Sequence, residues 1–497
     1  MAPSSSTDHQ CEWRDYAKEL EDRLLHVQAQ VEALQRHVFG KRSEKMPPIA
    51  KELRASGSSG VDPAATQEKR RKRADERKEL PTREIPHKVP EAERCCPKCG
   101  GEDLRPLGDG KQSVIYEYIP PRFERQVHVQ EILACRCGDY VVTAPGPVKV
   151  IEKGGYGPGL IAHLITAKCA DSIPLHRLAK ALERAGITIA RSTLVDLFHR
   201  AAGELQPLFR LLLEEIAAQD VVHADETTQR VQAPGKTRTA FLWTFLSVLD
   251  DPLIAFCFSP SRSGSTPKQI LGGTKGALIV DAYTGYHVVT TPEGRDRVGC
   301  WAHARRKFFD ARTQSPVAQE ALDLIIELYR VEADARAKGV LRTAAHRQLR
   351  GERSRAITDK LHAWLKEQQP QHLPKGPLGI AIRYALGQWE ALTRFLDDAR
   401  LPLDNNAAEG ALRVAALGRK NFLFVGHDTA GENLAGLYSL VATCEANGIN
   451  PEEYLADVLI RVKTHPNSRI RELLPPQWKR LRDAAPPSDA DPAATSA

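Results

Sequence analysis

The chain has 497 residues, 42% of them hydrophobic, and a formal net charge of +7. That length predicts roughly three or four domains, and the mild positive excess suits a nucleic-acid partner without demanding one. No run of about 18 uncharged apolar residues occurs, which argues against a membrane-spanning helix, and the N-terminal "MAPSSSTDHQCEWRDY" lacks an apolar signal core, so a cytoplasmic protein is expected.

In residues 1–45, Trp13, Ala17, Leu20, Leu24, Val27, Val31, Leu34 and Val38 alternate spacings of four and three, the apolar seam of a coiled coil. So narrow a stripe predicts a homo-oligomer, although one amphipathic helix packed on its own protein fits the same text. Residues 46–90 read as a basic flexible linker: "ASGSSGVDPAATQ" is small and polar, and "EKRRKRADERK" is a charge run with no apolar face. Its cations could grip phosphates or simply be solvated.

Residues 91–150 hold "CCPKCGG" and, after strand-like text ("SVIYEYIP", "RFERQVHVQEILA"), "CRCGDY". Cys96 with Cys99 and Cys135 with Cys137 form two thiolate pairs on glycine-bearing turns, the donor set of structural Zn2+. Four unconnected reduced thiols are the other reading, and Cys95 is an adjacent spare. Four thiolates leave no open position for water, so the metal would serve folding rather than catalysis. Residues 151–215 turn helical. "IPLHRLAKALERAG" and "ITIARSTLVDLFHRAA" give a helix, a turn at Gly186 and a second helix with Arg191, Ser192 and Thr193 at its start. A helix-turn-helix that binds DNA and a plain helical hairpin both fit. The glycines at 154–159 do not make a phosphate loop, for no GK[ST] follows them.

From 216 to 425 the pattern changes. "DVVHADETTQRV", "TAFLWTFLSVLD" and "LIAFCFSPSR" predict an antiparallel meander. A fourth apolar run, "ALIVDAYTGYH", precedes "RVGCWAHARRKFFDA", a short strand entering a basic helix. Residues 315–400 are mostly helical, and 401–424 reads as one helix with Asp404 as its N-cap. Residues 426–480 form a C-terminal helical region, and 481–497 a disordered tail.

Asp225 and Asp281 stand at the ends of the first and fourth apolar runs. Two such carboxylates on neighbouring strands repel one another, and a divalent cation is the natural remedy. Glu409, carried in by the helix after "DNN", completes an oxygen-rich site suited to Mg2+ and phosphodiester chemistry. Two metals about 3.5–4 Å apart would serve an in-line displacement. Asn405 and Asn406 are expected to hold the helix start and to meet phosphate or water.

The motifs "FGKRSEK", "CPKCGG", "HADET", "VDAYTGY", "CWAHARRKFFDA", "PLDNNAAEGALR", "GRKNFLFVG" and "SLVATCEANGINPEEYLADVL" resemble those of insertion-sequence-66 transposases, bacterial cut-and-paste enzymes. The resemblance covers nearly the whole chain. It implies a multidomain α/β protein with an RNase H-like core, a mixed sheet flanked by helices, and a helical insertion at about 315–400. It also implies a DDE triad of Asp225, Asp281 and Glu409 holding two Mg2+ (or Mn2+) ions, DNA as partner at the element ends and the target, and helper proteins from the same element. Gly410 departs from the arginine usual after the glutamate, and the Cys135–Cys137 pair is one residue shorter than usual.

Within this reading, Arg305, Arg306, Lys307, Arg413, Arg419 and Lys420 become candidate contacts to the DNA backbone, each against a plain solvated role. His303 would orient the scissile phosphate. His223, two residues before Asp225 on the same strand face, would support the site or merely be buried. The rival functions are a decayed transposase that binds DNA without cutting, an RNase H-like metal nuclease without strand transfer and, last, a zinc-dependent hydrolase.

Overall fold

The structure, a computed structural model, describes residues 123–134, 141–152 and 154–484, with a few isolated residues before them. The chain divides into two compact units, residues 50–123 and the remainder, and the elements that follow belong to the latter. Most of the heptad stretch and of the basic run, "SVIYEYIP", Cys96, Cys99, Cys135, Cys137 and the residues after 484 lie outside the described residues.

Strands β1 (Ile132–Ala134) and β2 (Val141–Thr143) pair antiparallel. Three helices follow: α1 (Pro158–Cys169), α2 (Leu175–Arg184) and α3 (Arg191–Ala217). Proline opens α1, where its missing N–H costs nothing, and Gly186 at φ +94° makes the turn after α2. The second helix of the expected helix-turn-helix is 27 residues long, with buried positions from Leu194 to Ile216. It shares one hydrophobic core with the sheet.

That sheet has five strands: β3 (Val221–Ala233), β4 (Lys236–Ser247), β5 (Leu253–Ser259), β6 (Ala277–Ile279) and β7 (Asp296–Val298). Their order is β5-β4-β3-β6-β7. The first three form the expected meander, and β6 and β7 add in parallel to β3. Pro234 and Gly235, the latter at φ +66°, make the tight β3–β4 turn. Between β5 and β6 lies a short helix, Ser265–Leu271.

Side-chain alternation splits the sheet into two faces. Val222, Ala224, Phe245 and Ala255 pack with α1, α3 and two C-terminal helices, Asp428–Ala446 and Pro451–Arg461. Val221, Ile279 and Val298 face the other way, into a second core built from the helices that follow β7. These are Trp301–Ala311, Ala318–Ala337, Ala344–Leu349, Arg355–Gln368, Pro377–Gly387 and Trp389–Thr393. They cover the expected insertion. Buried Arg350 fastens its end: the guanidinium grips Glu332 at 2.8 Å and donates to the carbonyls of Phe395 (2.7 Å) and Leu401 (3.0 Å). The last helix, Pro475–Ala484, runs past residue 481, where the tail was expected to begin.

The helix Asp428–Ala446 also closes the sheet edge. Ser439 Oγ accepts the Phe256 N–H (2.8 Å), and Thr443 Oγ1 accepts from Ile254 N–H (3.1 Å) and donates to its carbonyl (2.9 Å). These bonds occupy backbone groups that an edge strand would otherwise expose. Gly431 permits the approach, because a Cβ there would lie 2.4 Å from the Phe258 ring. Gly431→Ala is therefore expected to destabilise the protein by about 1–3 kcal/mol, read as a fall in thermal midpoint.

Candidate active site

The register of β3 against β6 sets the site. His223 pairs with Ile279, the last parallel pair, and two residues further along both chains carry an aspartate on the same face. Asp281 lies two residues past the end of β6. Asp225 lies inside β3 rather than at its end, since the strand runs on to Ala233 paired with β4 alone. Asp225 Oδ1 accepts the Glu226 N–H at 2.8 Å, and Asp281 Oδ1 accepts the Tyr283 N–H at 2.9 Å. Burial pushes the Asp225 carboxyl up to about 7, and the charges of Glu226, Asp281 and Glu409 add to the rise. Asp225 and Asp281, offering carboxylate oxygens from neighbouring strands, are donors that a hard divalent cation fits.

Glu409 sits on α4, here the short helix Asn406–Ala411, which packs on β3 and β4. Asn405, just before it, is 1% exposed and fully committed. Its Nδ2 donates to the Ala224 carbonyl (2.8 Å), its Oδ1 meets His223 Nδ1 (3.0 Å), and its backbone N–H donates to Cys300 Sγ (3.2 Å). With Nδ2 donating to a carbonyl, Oδ1 must accept, so His223 carries its proton on Nδ1. Burial pushes His223 down to about 4, keeping the ring neutral. Asn405 therefore ties the helix to the strand and is not open to phosphate or water, as the sequence suggested. Asn406 is exposed and bonds Asp404 through its backbone N–H (3.1 Å) and Nδ2 (2.8 Å).

The single helix expected over 401–424 is two. A break at Leu412 separates α4 from α5, Arg413–Phe422. A Cβ at Gly410 would meet nothing within 4 Å. Gly410→Ala is thus expected to stabilise the protein by about 0.5–1 kcal/mol, measured by chemical denaturation.

Three residues missed at the sequence level, Glu226, Arg297 and Cys300, adjoin the carboxylates, as does His303, which the sequence did single out. The Glu226 side chain is 2% exposed; it accepts from Arg262 Nη2 (2.6 Å) and Nε (2.9 Å) and from Tyr286 OH (2.6 Å). Arg297 donates to the carbonyls of Asp281 and Tyr283, while its Nε and Nη1 are buried without a hydrogen-bond partner. Cys300 and His303 lie beside Glu409: their ligand atoms all fall within 4.8 Å, and His303 Nδ1 is 3.8 Å from Glu409 Oε1. Among the described residues the three carboxylates do not gather that tightly.

The basic candidates divide. Arg305 is 1% exposed, because its position on the Trp301–Ala311 helix faces the second core, so it does not reach a DNA backbone. Arg419 is half-buried and donates to the carbonyl and hydroxyl of Thr228. Lys307 lies over the Tyr384 ring, 4.6 Å from its centroid. Arg306, Arg413 and Lys420 are exposed. At the start of α3, Arg191 and Ser192 are exposed and Thr193 is half-buried.

Known proteins resemble this chain along most of its length. The family model "Transposase IS66 family" matches residues 153–433, and "IS66 C-terminal element" matches 439–475. "Zinc-finger binding domain of transposase IS66" matches 93–138, the span of the four cysteines, and "Transposase C of IS166 homeodomain" matches 26–89, across the boundary between heptads and linker. Two similar proteins come from Sinorhizobium fredii. "Uncharacterized protein y4hP" is 32% identical over 93% of this chain and 90% of its own, and "Uncharacterized protein y4qI" is 34% identical over 78% and 74%. Among the described residues no helix is long and apolar enough to cross a membrane. With four family models matching between residues 26 and 475, the chain belongs to the IS66 family of transposases, proteins whose partner is DNA.

Proposed function

We propose that this chain is an active DDE transposase that binds the terminal repeats of its insertion sequence, cuts there and joins the freed end to target DNA. The observation that carries the reading is the paired height of Asp225 and Asp281 on parallel strands, with Glu409 brought to them by a helix that Asn405 pins to β3. The strand order β5-β4-β3-β6-β7, antiparallel then parallel, supports an RNase H-like core.

Asp225, Asp281 and Glu409 would hold the Mg2+ or Mn2+ ions, two per site, which when bound activate the attacking oxygen and stabilise the leaving one. Asn405 and His223 hold Glu409 in place, and the Glu226–Arg262–Tyr286 cluster fixes the strand next to Asp225. Arg297, with Nε and Nη1 to spare beside Asp281, and His303 beside Glu409 steady the scissile phosphate. Water attacks phosphorus at the element end, the P–O3′ bond breaks, and a 3′-hydroxyl and a 5′-phosphate result. The 3′-hydroxyl then attacks a target phosphodiester and displaces its 3′-oxygen, so no covalent protein–DNA intermediate forms.

Around this core we assign structural Zn2+ to Cys96, Cys99, Cys135 and Cys137, pairing of subunits to the N-terminal heptads, and DNA contact to Arg191, Ser192, Thr193, Arg306, Arg413 and Lys420. The protein would act in the cytoplasm, with helper proteins from the same element. The test is end joining: a DNA carrying the element's ends is incubated with a target plasmid, Mg2+ and the protein, and junctions are sequenced. Element 3′ ends joined to new DNA are expected. Cut ends that never join would reduce the protein to a nuclease.

A further inference from the structure

We propose that Leu423 and Phe424, at the tip of α5, form a wedge that enters the base stack of the bound DNA and unpairs it; the proposal rests on the transposase reading above. The tip is strained. Leu423 adopts φ +58°, ψ −48°, and the Phe424 N–H donates to the Phe422 carbonyl at 2.6 Å, closing a one-residue turn. Residues with a side chain avoid this conformation, at a cost that glycine escapes, and such strain persists where the surroundings impose it.

The strain holds apolar side chains in water. Leu423 is 64% exposed and Phe424 40%, and Leu417 on the same helix is 56% exposed. Yet the tip is anchored on both sides. Val425 is buried and adds to β3: its N–H donates to the Arg230 carbonyl, and its carbonyl accepts the Gln232 N–H, both at 2.9 Å. Before the tip, Lys168 Nζ lies 3.9 Å from the Phe422 ring centroid and Arg419 bonds Thr228. An apolar point thus projects from a rigid frame.

The surroundings select the occupant. Arg413, Leu417 and Lys420, at helical spacings of four and three, share the exposed face of α5, and the helix carries no acidic residue. Cations beside exposed aliphatic and aromatic surface match a nucleic acid, with phosphates for the cations and base faces for the apolar groups. Val425 is joined to Arg230, five residues along β3 from Asp225. That is about 17 Å of strand, or about five nucleotides at the spacing of phosphates along one DNA strand.

The test uses the full chain and duplexes carrying the element's end, with 2-aminopurine placed at each position from about one to ten nucleotides from the cut. Without divalent cation, a several-fold rise in fluorescence is expected at positions near five and nowhere else. The double variant Leu423→Gly, Phe424→Ser should lose that rise, and glycine keeps the turn unstrained. The variant should cut paired DNA at least tenfold more slowly and recover to within a few-fold of the wild type on DNA mismatched near position five. Equal cutting of paired DNA, fluorescence flat at every position, or a variant that changes only the oligomeric state in sedimentation would each overturn the wedge. Wild-type protein that cuts neither paired nor mismatched DNA would instead count against the transposase reading, and the fluorescence would still decide the wedge.

Discussion

Asp225→Asn is expected to lower strand cleavage by at least about a thousandfold while making the metal-free protein more stable, by on the order of 1–2 kcal/mol. The gain follows from the position of the group. Burial and three neighbouring carboxylates push Asp225 up to about 7, so its ionised form opposes folding. The sign gives the pH window. A folded-state value above the unfolded one means that the carboxyl costs nothing while protonated, below the ordinary 3.8, and costs most above about 7. The advantage of the Asp225→Asn variant in thermal midpoint should therefore open between those values. A variant that loses both activity and stability would show Asp225 to be structural.

Asn405→Ala is the reverse case, in which activity and stability fall together. It leaves the His223 Nδ1–H and the Ala224 carbonyl buried without partners and removes the tie between β3 and the helix bearing Glu409. A loss of about 2–4 kcal/mol is expected, with cleavage reduced on the order of a hundredfold by displacement of Glu409. Glu409→Gln is the control: it should abolish cleavage and leave the thermal midpoint close to that of the wild type. Asn405→Ala protein that stays as stable as wild type would show that the Asn405 bonds do not hold the helix.

What could be read from the sequence was whatever a strict period carries. The three apolar runs gave the meander, and carboxylates directly after such runs drew attention because a core cannot hold them. The parity of residues 221, 223 and 225 against 277, 279 and 281 follows from the two-residue period once the pairing is known. Arg305 was legible too: Trp301, Ala304, Phe308 and Ala311 already define a buried stripe, and Arg305 falls on it despite its charge. Other features were not legible. The break at Leu412 interrupts an alanine-rich pattern that has no local reason to stop. Asn405 was expected to hold the helix start and to meet phosphate or water because its partners, His223 and Ala224, lie more than 180 residues away. Glu226 stood beside Asp225 in plain view, but nothing local points to Arg262 and Tyr286 as the groups that bury it.

The central claim, that Asp225, Asp281 and Glu409 form one metal-dependent active centre, is tested most directly by mapping the 3′ ends made on DNA that carries the element's own termini. Wild-type protein and Asp281→Ala are compared with Mg2+, with Mn2+ and with neither. Cuts at the element ends that require the cation and vanish in the variant are the expected result. Specific binding of those ends without cutting by the wild type, with helper proteins present, would contradict the claim and leave a protein that recognises DNA but does not break it.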